Sequence, residues 1–196
     1  MKKRQENDTI KGYFYQFNKT IYEILSQSNQ TTKIIVEGIE DIDIKGENIN
    51  NTIQCKYYSK QSYNHSVIKE AIIYMLKHFS NNKSSNLRYK IYANFKDGQS
   101  KLPSSIQLNF FKDNFLTYKE KGTIHKVYEE LNLTDNDIEE FMKKIDIDIN
   151  ATDYDTLEAN VIELLKKELN ISDELVDLYF LKAGSIVKNI AIQETE

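Results

Sequence analysis

Between Thr9 and Ser28 the apolar side chains return every three or four residues, at Tyr13, Phe14, Phe17, Ile21, Ile24 and Leu25. That spacing predicts an amphipathic helix, with Asp8 or Thr9 as its cap. The period then shortens. KIIVEGIEDIDI, residues 33–44, is rich in β-branched residues and ends in strict alternation, with Ile42 and Ile44 on one side and Asp41 and Asp43 on the other. After the turn KGENINN, a strand over Thr52–Tyr58 is expected, so the two segments read as a hairpin or as adjacent strands. SVIKEAIIYMLKHF, residues 66–79, predicts a second helix with Ser66 as a plausible cap. LRYKIYANF, residues 87–95, alternates as a third strand with Leu87, Tyr89, Ile91, Ala93 and Phe95 on one face.

The loop DGQSKLPSS holds the only proline and is the likeliest boundary. Beyond it, segments near 104–118, 123–132, 134–145, 155–169 and 173–190 suit helices. Thr134 and Ser172 stand at N-cap positions with acids following, and IDIDI at 145–149 suits one more strand. The order α-β-β-α-β, followed by a helical region, predicts an α/β domain over residues 1–100 with a mainly helical extension over 101–196, packed as one unit.

Composition narrows the class. At 40% apolar and 29% charged residues a packed core is expected. No run of ~18 apolar residues is present to span a membrane, and MKKRQENDTI lacks the apolar stretch of a signal peptide. The single Cys55 excludes an internal disulfide and a cysteine-rich zinc site. A cytoplasmic protein is expected. The net charge of −4 is uneven: residues 1–100 carry 15 Lys and Arg against 10 Asp and Glu, and the remainder 11 against 20. The basic half permits phosphate binding.

That half also contains NTIQCKYY, residues 51–58, where an amide and an ammonium sit two residues apart in a strand. Gln54 and Lys56 share one face, and Ile53, Cys55 and Tyr57 the other. If the two strands pair with their polar faces aligned, Asp41, Asp43, Gln54 and Lys56 converge. A carboxylate and an amide oxygen are hard ligands suited to Mg2+, and the Cys55 backbone carbonyl between them offers a third oxygen. A lysine beside such an ion can orient water and offset charge developing on a phosphorane.

Asp41, a turn, and then Gln54-x-Lys56 resembles the PD-(D/E)XK nuclease superfamily in its D…QxK form, found in Mrr-like proteins. GYFYQFNKTIYEIL, residues 12–25, looks like the helix that opens such domains, with Gln16 where Glu is frequent. Glu37, four residues before Asp41, matches the first acid of a D-x-G-x-D motif, although Gly38 sits one place early. GYFYQ, EGIEDIDI and IQCKYY together are most similar to the double-stranded DNA endonuclease domain of bacterial anti-phage effectors. The resemblance covers residues 10–95.

It implies a restriction-endonuclease-like core and a Mg2+- or Mn2+-dependent endonuclease acting on double-stranded DNA. Asp41, Gln54 and the Cys55 carbonyl would be metal ligands, with Asp43 as fallback. Lys56 would position the attacking water, and Gln16 and Glu37 would support the site. It also implies activation by oligomerisation or within a larger defence complex holding a sensor or ATPase. The alternative is a catalytically inactive nuclease fold that binds DNA or a partner protein.

Other residues favour blander readings. Gln16 and Glu23 lie on one helix face near Lys19. His65, His78 and His125 are scattered without metal-ligand spacing. Cys55 should point into the core. Tyr57, Tyr58, Lys60, Tyr63 and Lys69 form a basic-aromatic stretch, read either as a DNA-tracking surface or as a plain loop.

Overall fold

The computed structural model describes residues 2–29, 31–48 and 50–193, the side chains of residues 2–9 excepted. Helix α1 runs over Lys2–Leu25. Asp8 and Thr9 therefore lie inside it rather than at its cap, and their side chains fall outside the described residues. Its inner stripe carries Tyr15 and Ile21, both buried.

The expected strand over 33–44 is divided in two. Strand β1 is Lys33–Val36 and β2 is Ile42–Lys45, joined by a tight bend. Glu37 takes a left-handed φ of 55°, and its N–H donates to the Asp41 carbonyl at 3.0 Å. Gly38 is required here because a Cβ would lie 2.5 Å from Asp43 Oδ2. Strand β3, Asn50–Ser62, is longer than the alternation predicts.

Helix α2, His65–Asn81, is capped by Asn64, whose side chain accepts from the Ser66 N–H, so Ser66 is not the cap. Strand β4 is Arg88–Asp97 and helix α3 is Leu108–Phe115, shorter than expected. The helix expected over 123–132 is instead a β-hairpin, β5 Thr117–Glu120 and β6 Thr123–Lys126, followed by a single helical turn, α4 Val127–Glu130. Its two-residue turn places Lys121 at φ 47° and Gly122 at φ 89°, the positive pair that a type I′ hairpin needs. Helix α5, Asp135–Lys144, begins with a Thr134–Asp137 capping box. Strand β7 is Ile145–Asp148, and helices α6 (Tyr154–Leu169) and α7 (Asp173–Gln193) close the chain.

The five-stranded sheet has the order β1-β2-β3-β4-β7. The first three strands are antiparallel neighbours, and β3, β4 and β7 are parallel. One face is covered by α2, α3 and α5 through Ile68, Ile72, Met75, Phe111, Phe115 and Phe141. The other packs Ile42, Ile44, Ile53, Cys55 and Tyr92 against Tyr15 of α1 and Leu157 of α6. Helices α1, α6 and α7 share a third cluster with Val36 of β1. The C-terminal half thus supplies an edge strand of the sheet and part of its cover, and it contains three strands besides its helices.

Candidate active site

Two strand lengths create the site. Strand β2 covers β3 only from Asn50 to Ile53, so from Gln54 onward that edge of β3 has no strand beside it among the described residues. A cleft of about 640 Å³ lies along this open edge. Gly12, Tyr13 and Gln16 of α1, Glu37 and Asp41 of the bend, and Gln54 and Lys56 of β3 line it. The expected alignment of polar faces is present: Asp43 lies opposite Thr52 and Ile42 opposite Ile53, which brings Asp41 against Gln54.

Asp41 caps the orphan edge. Its Oδ2 accepts from Gln54 Nε2 at 2.5 Å and from the Cys55 backbone N–H at 2.7 Å. No described residue donates to its Oδ1. Burial pushes the Asp41 carboxyl up to about 6, against the hydrogen bond from Cys55 and the nearby Lys56 charge, while Glu37 pushes it further up. Gln16 Nε2 donates to Glu37 Oε1 at 2.5 Å, so α1 holds the bend from across the cleft. The Lys56 ammonium makes no ion pair with a described residue; Asp41 and Glu40 are among the acids that feel its charge.

Asp43 stands apart from this group. It is buried, with Oδ1 accepting from Thr52 Oγ1 at 2.6 Å and Oδ2 from the Ile39 N–H at 2.9 Å. Its carboxylate ties the bend to β3 rather than lining the cleft, so it does not serve as a fallback ligand. The Cys55 thiol is buried on the α1 face, and burial pushes its pKa up. Its backbone N–H faces Asp41, and in an extended strand the C=O of the same residue leaves on the same edge.

Glu40 was not among the residues the sequence singled out. It is 8% exposed, and no hydrogen bond reaches its Oε1. Burial and then Asp41 push its carboxyl up to about 8. The signal was its place in EGIEDIDI, beside Asp41, but nothing in the pattern marked it as inward-facing.

Lys19, Glu23 and the three histidines stand outside the cleft. Lys19 pairs with Glu23 at 2.6 Å, away from the cleft. His65 Nδ1 meets the Tyr63 hydroxyl at 2.9 Å, and His78 Nδ1 meets that of Tyr89 at 2.8 Å. His125 stacks on Tyr118. The basic-aromatic stretch is not a loop: Tyr57, Tyr58 and Lys60 lie on β3 and line the cleft, while its other members are tied down. Tyr63 is buried, Tyr58 stacks on Phe95, and Lys69 Nζ donates to the Thr117 carbonyl at 2.8 Å.

Among the described residues no group of three or more His, Cys, Asp or Glu side chains could hold a metal ion. The cleft instead mixes two carboxylates with amide and backbone oxygens. Asp41 Oδ1, the Gln54 amide oxygen left over from its N–H contact, Glu37 and the Cys55 carbonyl are hard oxygens. Mg2+ is commonly held by one or two carboxylates, with water and phosphate oxygens completing its shell.

No protein-family model matches this sequence, and neither a curated protein nor a solved structure matches it. No helix among the described residues is long and apolar enough to cross a membrane.

Proposed function

We propose that this protein is a Mg2+- or Mn2+-dependent endonuclease cutting double-stranded DNA, the effector module of a bacterial anti-phage system. The observation that carries the reading is the convergence of Asp41, Gln54 and Lys56 in a cleft open along the β3 edge. A divalent ion, when bound, supplies polarisation of a phosphoryl oxygen and neutralises charge at the phosphorus. The chain's own residues do the rest. Asp41 and Gln54 orient each other through their hydrogen bond, and Gln16 fixes Glu37 across the entrance. The Lys56 ammonium, within the cleft wall, orients the attacking water and stabilises the negative charge that grows on the phosphate.

Control by assembly is part of the proposal. Large apolar side chains stand exposed on α7 (Leu178 62%, Leu181 69%, Ile186 52%) and on α1 (Tyr13 57%, Phe14 51%). Exposed apolar surface of this kind favours a partner or a second copy. The hydrogen bond that Gln54 spends on Asp41 favours a second reading, a nuclease fold that binds DNA or a partner without cutting. The test is incubation of a labelled duplex with Mg2+, with Mn2+ and with EDTA. Cleavage dependent on the ion supports the nuclease; binding without cleavage in all three, with Asp41 and Lys56 both dispensable, supports the binding module.

A further inference from the structure

The end of the sheet away from the cleft carries a cationic rim. Lys33 of β1 stands directly opposite Lys45 of β2, and Lys45 opposite Asn50 at the start of β3. Asn51 is opposite Arg88, where β4 begins. Lys144 immediately precedes β7, whose first residue pairs with Tyr89. Every strand of the sheet except β3 has a cation at this end, and β3 contributes two amides. With strands ~4.8 Å apart, the row is ~19 Å long.

Three observations separate this rim from an ordinary solvated strand end. Like charges directly opposite across a strand pair cost stability, yet Lys33 and Lys45 face each other in a chain with 30 Asp and Glu to choose from. Lys33, Lys45, Arg88 and Lys144 make no ion pair with a described residue, whereas Lys19, Lys83, Lys90 and Lys112 each have one. The rim is also concave. A pocket of about 550 Å³ is lined by Asn48, Asn50, Asn51, Asn86, Arg88 and Lys144, with no carboxylate in its wall. Lys144 is fixed there, its Nζ donating to the carbonyls of Ser85 at 2.5 Å and Lys83 at 3.4 Å.

A guanidinium fork, a fixed ammonium and amide donors make a phosphate-binding chemistry; the acids Glu23 and Asp146 stand in the adjoining hollow that Arg88 and Lys144 also line. A ~19 Å row across the strands exceeds a single small anion and suits the repeating charges of a polyanion. We propose that this rim grips the phosphodiester backbone of the DNA at a second point, away from the cleft. The proposal rests on the nuclease reading for the identity of that polyanion. The five residue steps from Asn51 to Lys56 span ~17 Å of strand, about half of the ~34 Å turn of a duplex, so one duplex lying along β3 reaches both places.

The test is fluorescence anisotropy of a labelled duplex two helical turns long, read in EDTA so that neither cleavage nor a metal bridge contributes. Replacing Arg88→Gln and Lys144→Gln together should weaken binding about tenfold, and should flatten the plot of log affinity against log salt by about 2. Lys33→Glu should pair with Lys45, so it should raise the melting temperature while lowering affinity; a merely solvated strand end would raise stability and leave affinity alone. Unchanged affinity and salt slope in both variants overturn the proposal. So does protection by inorganic phosphate or a mononucleotide alone, with duplex binding indifferent to the variants. Because binding is read without metal, the two readings fail separately. Rim-dependent binding with no cleavage under any ion by protein of verified oligomeric assembly refutes the nuclease, and cleavage with rim-independent binding refutes the rim.

Discussion

The Asp41 carboxylate receives the Cys55 backbone N–H at 2.7 Å, at the point where β3 has outrun its neighbour β2. Two residues on, Asp43 receives Thr52 Oγ1 at 2.6 Å inside the sheet. Two acids on one strand face therefore have different work. Asp41→Ala should abolish cleavage with a small change in melting temperature. Asp43→Ala should cost ~2 to 3 kcal/mol by leaving Thr52 and the Ile39 N–H without an acceptor. Thermal melts beside cleavage assays of both variants check this; an Asp43→Ala protein as stable as wild type would contradict it.

Gly38→Ala tests the same bend from outside. The added methyl meets Asp43 Oδ2 at 2.5 Å, so the bend must open and carry Glu37 and Asp41 with it. The expected outcome is a loss of ~1 to 3 kcal/mol, the usual size of an overpacking effect, together with loss of Mn2+ binding measured by calorimetry.

Glu40 gives the pH dependence. Its folded pKa, about 8, lies above its ordinary value of 4.5, so the folded protein holds the proton more tightly than the unfolded chain. Stability from this group is full below about pH 4.5 and falls as pH rises through 8. Glu40→Gln removes the ionisation and should stabilise at pH 8 by up to ~4 kcal/mol, with almost no effect at pH 4.5. Melting curves of both proteins at the two pH values decide it; an equal shift at both would contradict it.

Cys55 contributes its backbone to the site and its thiol to the core. Cys55→Ala should keep cleavage and lose ~1 kcal/mol of packing, whereas alkylating reagents should find the native thiol unreactive while the protein is folded.

The long periodic segments were legible in the sequence. Helices α1, α2, α6 and α7 and strand β4 announce themselves by period, and the alternation of Asp41 and Asp43 against Gln54 and Lys56 was enough to bring their faces together. The bend at Glu37–Asp41 was not legible, because a glutamate takes the positive φ and no turn dipeptide marks it. Without the bend, Asp41 and Asp43 look equivalent, since they share a face; only its three-dimensional course buries one and exposes the other to the cleft. Lys121 at positive φ hid the β5–β6 hairpin in the same way. Glu40 escaped notice because burial of a charged side chain depends on tertiary packing, here beside Lys56 of β3 and Tyr89 of β4.

The central claim is tested most directly by supercoiled plasmid incubated at high protein concentration with Mg2+ or Mn2+, using wild type, Asp41→Ala and Lys56→Ala proteins shown to be folded by thermal melts. Ion-dependent relaxation or linearisation by wild type, lost in both variants, is the result expected. Cleavage undiminished by Lys56→Ala, or no ion-dependent cleavage by a wild-type protein whose oligomeric assembly has been verified, would contradict it.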